Sequence, residues 1–294
     1  MAQVLRICML NADAPVPVVA GKRAPTYGRV FHDLLSSAAN NTKSSRHRSE
    51  NVVRITSTDF NVVVNEYPAS ITEFDAIIIS GSANSAYDDL PWIRKLERWV
   101  KEVYENEPSL KIFGSCFGHQ LVCQALLKDY GVKVEKDPKG WELGVKEITL
   151  HQQFRGKFFG ENKGVEAGGL EKMRLQFVHH DHVVVPDMEA LPQSWMTVGN
   201  TQHCAVQGIY EPGRVLTFQG HFEFDRFINS ETVKYFFPGW QPKVLEETLD
   251  DIDADDDSVM AASMVLKFFL EGSIRKHGQS HTVNGGLLTP PSRE

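Results

Sequence analysis

Short apolar runs alternate with amphipathic stretches along the first half of the chain. Val4–Leu10 is an apolar run closed by Asn11 and Asp13, the pattern of a buried strand, and Tyr27–Ala39 then repeats apolar residues at helical spacing. Val52–Thr56 resumes as strand. Ala76–Ser80 (AIIIS) is rich in β-branched residues and runs into Gly81-Ser82, as a central parallel strand runs into its C-terminal loop. Asp88, Asp89 and Pro91 mark the start of a helix that places Ile93, Leu96, Val100 and Val103 on one face. Lys111–Ser115 (KIFGS) is a further buried strand and Gly118–Leu127 a helix. Strands alternating with helices predict a parallel sheet covered on both faces.

Beyond Tyr130 the runs shorten. Val132–Glu135, Val145–Leu150, Leu175–Val178, Ala205–Tyr210 and Val215–Gln219 read as strands, the last two joined by the turn Glu211-Pro212-Gly213. This half is expected to be mixed or antiparallel. Asp225–Phe236 and Ser258–Glu271 close the chain as helices. Ala14–Lys22 reads as loop, Asn40–Glu50 as a polar surface insertion, and 278–294, rich in Gly, Pro, Ser and Thr, as a disordered tail. Residues 1–277 are expected to form one domain.

Charge and cysteine usage narrow the function classes. The formal charge of −7 is spread along the sequence without a Lys/Arg stripe, so no nucleic-acid partner is expected. The four cysteines, Cys8, Cys116, Cys123 and Cys204, are scattered and read as reduced thiols. No run reaches the ~20 apolar residues of a membrane helix, and no signal-peptide core follows the N-terminus. A cytoplasmic protein with no membrane association is expected.

The chemistry concentrates at two places. Gly114-Ser115-Cys116-Phe117-Gly118 sets a cysteine between a strand and a helix with a glycine two positions to either side, the nucleophile-elbow arrangement with sulfur in place of oxygen. The helix N-terminus there favours thiolate, and its free amides, that of Phe117 above all, can hold an oxyanion. His221 and Glu223 follow the strand Val215–Gln219; residues two apart in extended chain share a face, so the carboxylate can orient the imidazole as base.

Cys8 and Cys123 read as packing. The histidines and carboxylate of His179–His182, with His203 and His221, invite a zinc reading, but spacing alone defines no site and a triad would take His221. No metal and no cofactor are expected. The aspartates of Asp250–Asp257 fail the calcium-loop template, with Asp256 at the glycine position and Ala262 at the glutamate position, and read as a solvated linker. Trp92, Trp99 and Trp141 read as packing residues, with Trp141 also able to line a cleft.

In combination these segments resemble the class I, triad-type glutamine amidotransferase family. Gly114–Gln120 (GSCFGHQ) resembles its nucleophile motif, Gln219–Glu223 (QGHFE) its His-x-Glu motif, and Ile78–Asp89 (IISGSANSAYDD) its oxyanion strand and loop. His180-Asp181-His182-Val183 is similar to its His-x-Asp-x-Val loop, and Gly140–Gly144 (GWELG) completes a series in the expected order over most of Val4–Phe236. The resemblance implies a flavodoxin-like, mostly parallel sheet with helices on both faces and an antiparallel extension. It implies Cys116 as the acylated nucleophile, the Phe117 backbone and the Gly81–Ser82 loop as oxyanion donors, and Gln120 as a glutamyl-binding residue. The family usually has proline between His and Glu; here Phe222 stands.

Three functions fit this reading. The chain is expected to hydrolyse or transfer at the γ-glutamyl amide of glutamine or a conjugate; the alternatives are a glutaminase subunit feeding ammonia to a separate synthase chain, and a non-catalytic binding module. The chain has no G-x-x-x-x-G-K-[ST] phosphate loop, so amination would need that partner.

Overall fold

The computed structural model describes residues 3–41, 53–160 and 170–272; the predicted tail 278–294 and nearly all of the predicted insertion 40–50 lie outside them. The chain opens with β1 (Gln3–Asn11), α1 (Pro17–Lys22), α2 (Tyr27–Asn41), β2 (Val53–Asn61), β3 (Ala76–Ile79), α3 (Pro91–Asn106), β4 (Lys111–Ser115) and α4 (Phe117–Leu127). It continues through β5 (Lys133–Lys136), β6 (Glu142–Leu150), α5 (Gln152–Phe159), β7 (Lys172–His179) and β8 (Asp181–Val184). Short strands β9 (Met196–Thr197), β10 (Gly199–Asn200), β11 (Ile209–Glu211) and β12 (Val215–Phe218) precede α6 (Arg226–Phe236), α7 (Pro242–Ile252) and α8 (Ser258–Phe269).

Seven strands form the central sheet in the order β2-β1-β3-β4-β12-β11-β9. The first five are mutually parallel and the last two antiparallel. Side chains alternate across a strand, so β1 sends Leu5, Ile7 and Met9 to one face and Cys8 and Leu10 to the other. The first set packs on Phe31 and Leu35 of α2 and Val265 and Phe268 of α8; the second meets Ile93, Leu96 and Val100 of α3 and Leu121 of α4. A three-stranded sheet, β10-β6-β7, and the β5-β8 pair supply the antiparallel extension. This is the expected architecture, and it brings the C-terminal ends of β1, β3, β4 and β12 to one edge.

Several local expectations change. Pro17 starts a short helix where loop was expected, with Val19 buried. α5 was not foreseen; Phe154 and Phe158, four residues apart, fix its buried face. α7 was not foreseen either; Leu245, Leu249 and Ile252 form its inner stripe, of which only Ile252 is fully buried. The His-x-Asp-x-Val segment is strand β8, pairing Val183 with Val134 of β5. The strand predicted from Ala205 begins only at Ile209. The preceding segment is loop, tied down by Gln207 Nε2 donating to Glu142 (2.8 Å).

The aspartate run ends α7 and pairs with cations: Asp251 with Lys146 (2.6 Å), and Asp253 and Asp255 with Arg226 (3.2 and 2.5 Å). Among the described residues no helix is long and apolar enough to cross a membrane.

Candidate active site

Cys116 sits at φ 50°, ψ −107°, a backbone conformation rare for a non-glycine residue, between the end of β4 and the start of α4. Its N–H donates to Phe218 O of β12 (2.9 Å), and its carbonyl accepts from Gln120 N (3.0 Å). The turn closes so tightly that a Cβ on Gly114 would lie 2.5 Å from the Gly118 carbonyl, and one on Gly118 2.3 Å from Ile79 O. Both positions are therefore restricted to glycine, and that restriction stands the cysteine up into the cleft.

His221 follows β12, and its backbone reaches across to the other sheet, donating from N to Gln176 O of β7 (2.8 Å). Its Nδ1 donates to Glu223 Oε1 at 2.8 Å. Ser115 Oγ donates to the same carboxylate, at 2.9 Å to Oε1 and 3.2 Å to Oε2. With Nδ1 carrying its proton to Glu223, Nε2 is the ring atom left for the sulfur, and among the described residues it is buried without a hydrogen-bond partner of its own. Burial pushes the imidazole down, but the Glu223 carboxylate and the Cys116 sulfur outweigh it and raise its pKa to about 10.

The departure at Phe222 does not disturb this alignment. Its ring is fully buried against Phe31 and Phe113, with centroids at 5.4 Å in each case. Aromatic packing holds the position that proline would stiffen through its fixed φ. On the other side of His221, Phe224 stacks at 4.0 Å and 17°.

The remaining predicted residues gather at the same place. A Cβ on Gly81 would lie 3.0 Å from His221 Cε1 and 3.7 Å from Cys116 Cβ, so the Gly81–Ser82 loop roofs the pair. Phe117 occupies the first turn of α4, where backbone amides lack intrahelical acceptors. Gln120 borders the cleft, but both protons of its Nε2 are engaged, by Asp181 O (2.9 Å) and Gln219 Oε1 (3.0 Å). Only its carbonyl oxygen remains for a ligand.

A cleft of about 370 Å³ opens over Cys116 and His221. Asp13, Asp181 and Lys136 bring charge of both signs to it, and Tyr27, Trp141, Phe224, Phe236 and Phe237 form apolar wall. Burial, with Asp13 and Glu223 nearby, raises the pKa of the Tyr27 phenol, which is therefore neutral. His119, directly after the elbow, is held down to about 3 by burial and bonds Thr217 Oγ1 through Nδ1 (2.7 Å), so it is a neutral packing group.

His182 faces Asp137 (3.1 Å) and His179 faces Glu142 (2.8 Å). Among the described residues no group of three or more His, Cys, Asp or Glu side chains is placed to hold a metal ion. Cys123 is fully buried and burial raises its pKa well above that of a free thiol. Sequence reasoning missed Ser115, Gln219 and, apart from Trp141, the aromatic wall, since each acts through neighbours remote in sequence.

A parallel α/β sheet with a cysteine elbow facing a His–Glu pair defines a class: the triad-type amidotransferase architecture. Comparison with known proteins agrees. The family model for class-I glutamine amidotransferase matches residues 37–234, and the chain belongs to that family. A glutamine amidotransferase-like protein of Schizosaccharomyces pombe is 32% identical over 278 residues, covering 90% of this chain and 98% of that protein. Gamma-glutamyl peptidase 2 of Arabidopsis thaliana is 27% identical over 219 residues, covering 72% of this chain and 81% of that one. Among solved structures, a Thermotoga maritima glutamine amidotransferase superposes with a TM-score of 0.62 at 14% identity, over 90% of this chain and 98% of that one, which speaks to the fold.

Proposed function

We propose that this chain is a cysteine-dependent γ-glutamyl hydrolase that cleaves the side-chain amide of γ-glutamyl conjugates without a synthase partner. The observation that carries the reading is the Cys116 elbow beneath an imidazole whose Nδ1 is fixed to Glu223 (2.8 Å), leaving Nε2 to the sulfur. The similarity to a γ-glutamyl peptidase supports the hydrolase branch. The mixed charge of Asp13, Asp181 and Lys136 at the cleft suits a zwitterionic γ-glutamyl head.

In this reaction the Cys116 thiolate attacks the side-chain carbonyl carbon, forming a C–S bond and moving the carbonyl electrons onto oxygen. The amides of Phe117 and the Gly81–Ser82 loop hold that oxyanion. Its collapse breaks the C–N bond while imidazolium His221 gives its proton to the departing nitrogen, leaving a γ-glutamyl thioester. Water, deprotonated by His221, then attacks the thioester carbon; the C–S bond breaks, glutamate leaves and the thiolate returns. Four free, buried cysteines suit a reducing compartment such as the cytoplasm.

The test is release of glutamate and amine by the purified chain from glutamine and several γ-glutamyl compounds, with Cys116→Ala as blank. Turnover of a γ-glutamyl peptide exceeding that of glutamine is expected. Turnover that appears only when a second protein is added would instead assign the ammonia-supplying role.

A further inference from the structure

Three aromatic side chains bordering the cleft are placed for binding in a way the hydrolytic chemistry alone does not require. Trp141 is 45% exposed and Phe236 46%, yet both face the cleft that holds Cys116. Trp141 meets Phe237 edge-on at 4.8 Å and His180 at 5.0 Å, and Phe237 is backed by Trp240, stacked at 4.1 Å and 24°. These contacts fix the Trp141 and Phe237 rings while their outer surfaces stay uncovered.

The side of the cleft they occupy matters. α6 begins directly after the His221–Glu223 turn, with Asp225 capping it through Ile228 N (2.7 Å), and it carries Phe236 at its end and Phe237 one residue beyond. Phe224, stacked on the His221 ring, joins the same wall. The departing amine takes its proton from His221, so its substituent leaves along the imidazole's side and meets this wall.

We infer that Trp141, Phe236 and Phe237 form a leaving-group subsite for a flat, apolar ring carried by the amine that is released. The inference rests on the hydrolase reading for the identity of the scissile bond. Rigid aromatic faces gain contact area at low entropic cost, and offset or edge-on ring pairs add to it. A released amine as small as ammonia or alanine leaves the wall wet; a phenylalanyl or anilide group covers it.

The test compares γ-glutamyl-phenylalanine with γ-glutamyl-alanine in two measurements. In turnover, the wild-type chain is expected to favour the phenylalanyl compound by about tenfold in kcat/KM, a typical value for one well-packed apolar group. Trp141→Ala brings the ratio to within about twofold, whereas Tyr235→Ala, at an exposed aromatic of α6 outside the cleft, leaves it at about tenfold. In binding, the uncleaving Cys116→Ala chain is titrated with both peptides by calorimetry, and the same preference and the same loss with Trp141→Ala are expected.

Equal kcat/KM and equal affinity for the two peptides, or a preference that survives Trp141→Ala, would overturn the subsite. If no γ-glutamyl compound is turned over but the phenylalanyl peptide still binds preferentially through Trp141, the subsite stands and the hydrolase reading falls. Turnover of both peptides at equal efficiency does the reverse.

Discussion

The Gln219 side-chain amide faces Cys116 Sγ with its N–H side, at 3.6 Å. Its orientation is set at a distance. Asp181 O can only accept, so the Gln120 atom against it is Nε2; the same Nε2 donates to Gln219 Oε1, which turns the Gln219 nitrogen to the sulfur. A hydrogen bond to a charged partner is worth about 1.5–3 kcal/mol, so Gln219→Met should slow acylation by roughly tenfold to a hundredfold. The readout is the single-turnover rate of acylation, compared between the two folded proteins. A rate identical to wild type would reduce Gln219 to packing.

Cys116→Ala should abolish turnover with an unchanged melting temperature, since the side chain points into a cleft and touches little core. Cys123→Ala, at a fully buried thiol on α4, should keep substantial activity. His221→Ala should be about as damaging as Cys116→Ala, and Glu223→Gln less so, because losing the base stops proton transfer whereas a replaced orienter leaves residual function. Wild-type kinetics in the His221 variant would point to His180, which also borders the cleft.

The imidazolium of His221 should persist far into alkaline pH. Its folded pKa, raised to about 10, lies above the ordinary value near 6.5. The charged pair with Glu223 therefore contributes stability that is fully present below about 6.5 and is lost as pH rises through about 10. Activity should follow, declining on the alkaline side near 10, and Glu223→Gln should bring that decline to lower pH because it removes the largest raising influence. A pH–rate profile of both proteins decides it; an alkaline limb that does not move would separate the limb from His221.

Gly118→Ala should destabilise the fold by about 1–3 kcal/mol, the usual cost of overpacking, because its Cβ would arrive 2.3 Å from Ile79 O. Phe222→Ala should cost about 3–5 kcal/mol by emptying a fully buried aromatic site, and should lower activity further by loosening the His221–Glu223 turn. Denaturant melts give the first quantity, and kcat of the still-folded protein gives the second.

Residues acting through local rules were legible in the chain. The Cys116 elbow announced itself because Gly114 and Gly118 flank the cysteine within five residues, and the His221–Glu223 pair because extended spacing puts both side chains on one face. Strands β3 and β4 were legible for their unbroken apolar runs. α7 was not recognised, although Leu245, Leu249 and Ile252 repeat at helical spacing, because the aspartate run that ends it reads as linker. β8 was hidden by His and Asp at its start, and only its pairing with β5 makes it strand. Gln120 was assigned to the glutamyl group through the family resemblance; that Asp181 and Gln219 occupy its donors and leave its carbonyl free is set by residues remote in sequence. The aromatic wall draws on the β5–β6 connection and the end of α6, so no local pattern could assemble it.

The bond from His221 N to Gln176 O, described above as a bridge between sheets, makes the imidazole a rider on two bodies. One is the parallel sheet, which also carries Cys116; the other is the β10-β6-β7 sheet, whose solvent face carries Glu147, Thr149 and Lys172. Besides that bond, Leu175 and Phe177 of β7 lie directly against Gly220, so the segment carrying the ring is seated on the smaller sheet while the elbow alone holds the sulfur. The register of the antiparallel extension therefore enters the position of the His221 ring as directly as the register of β12 does.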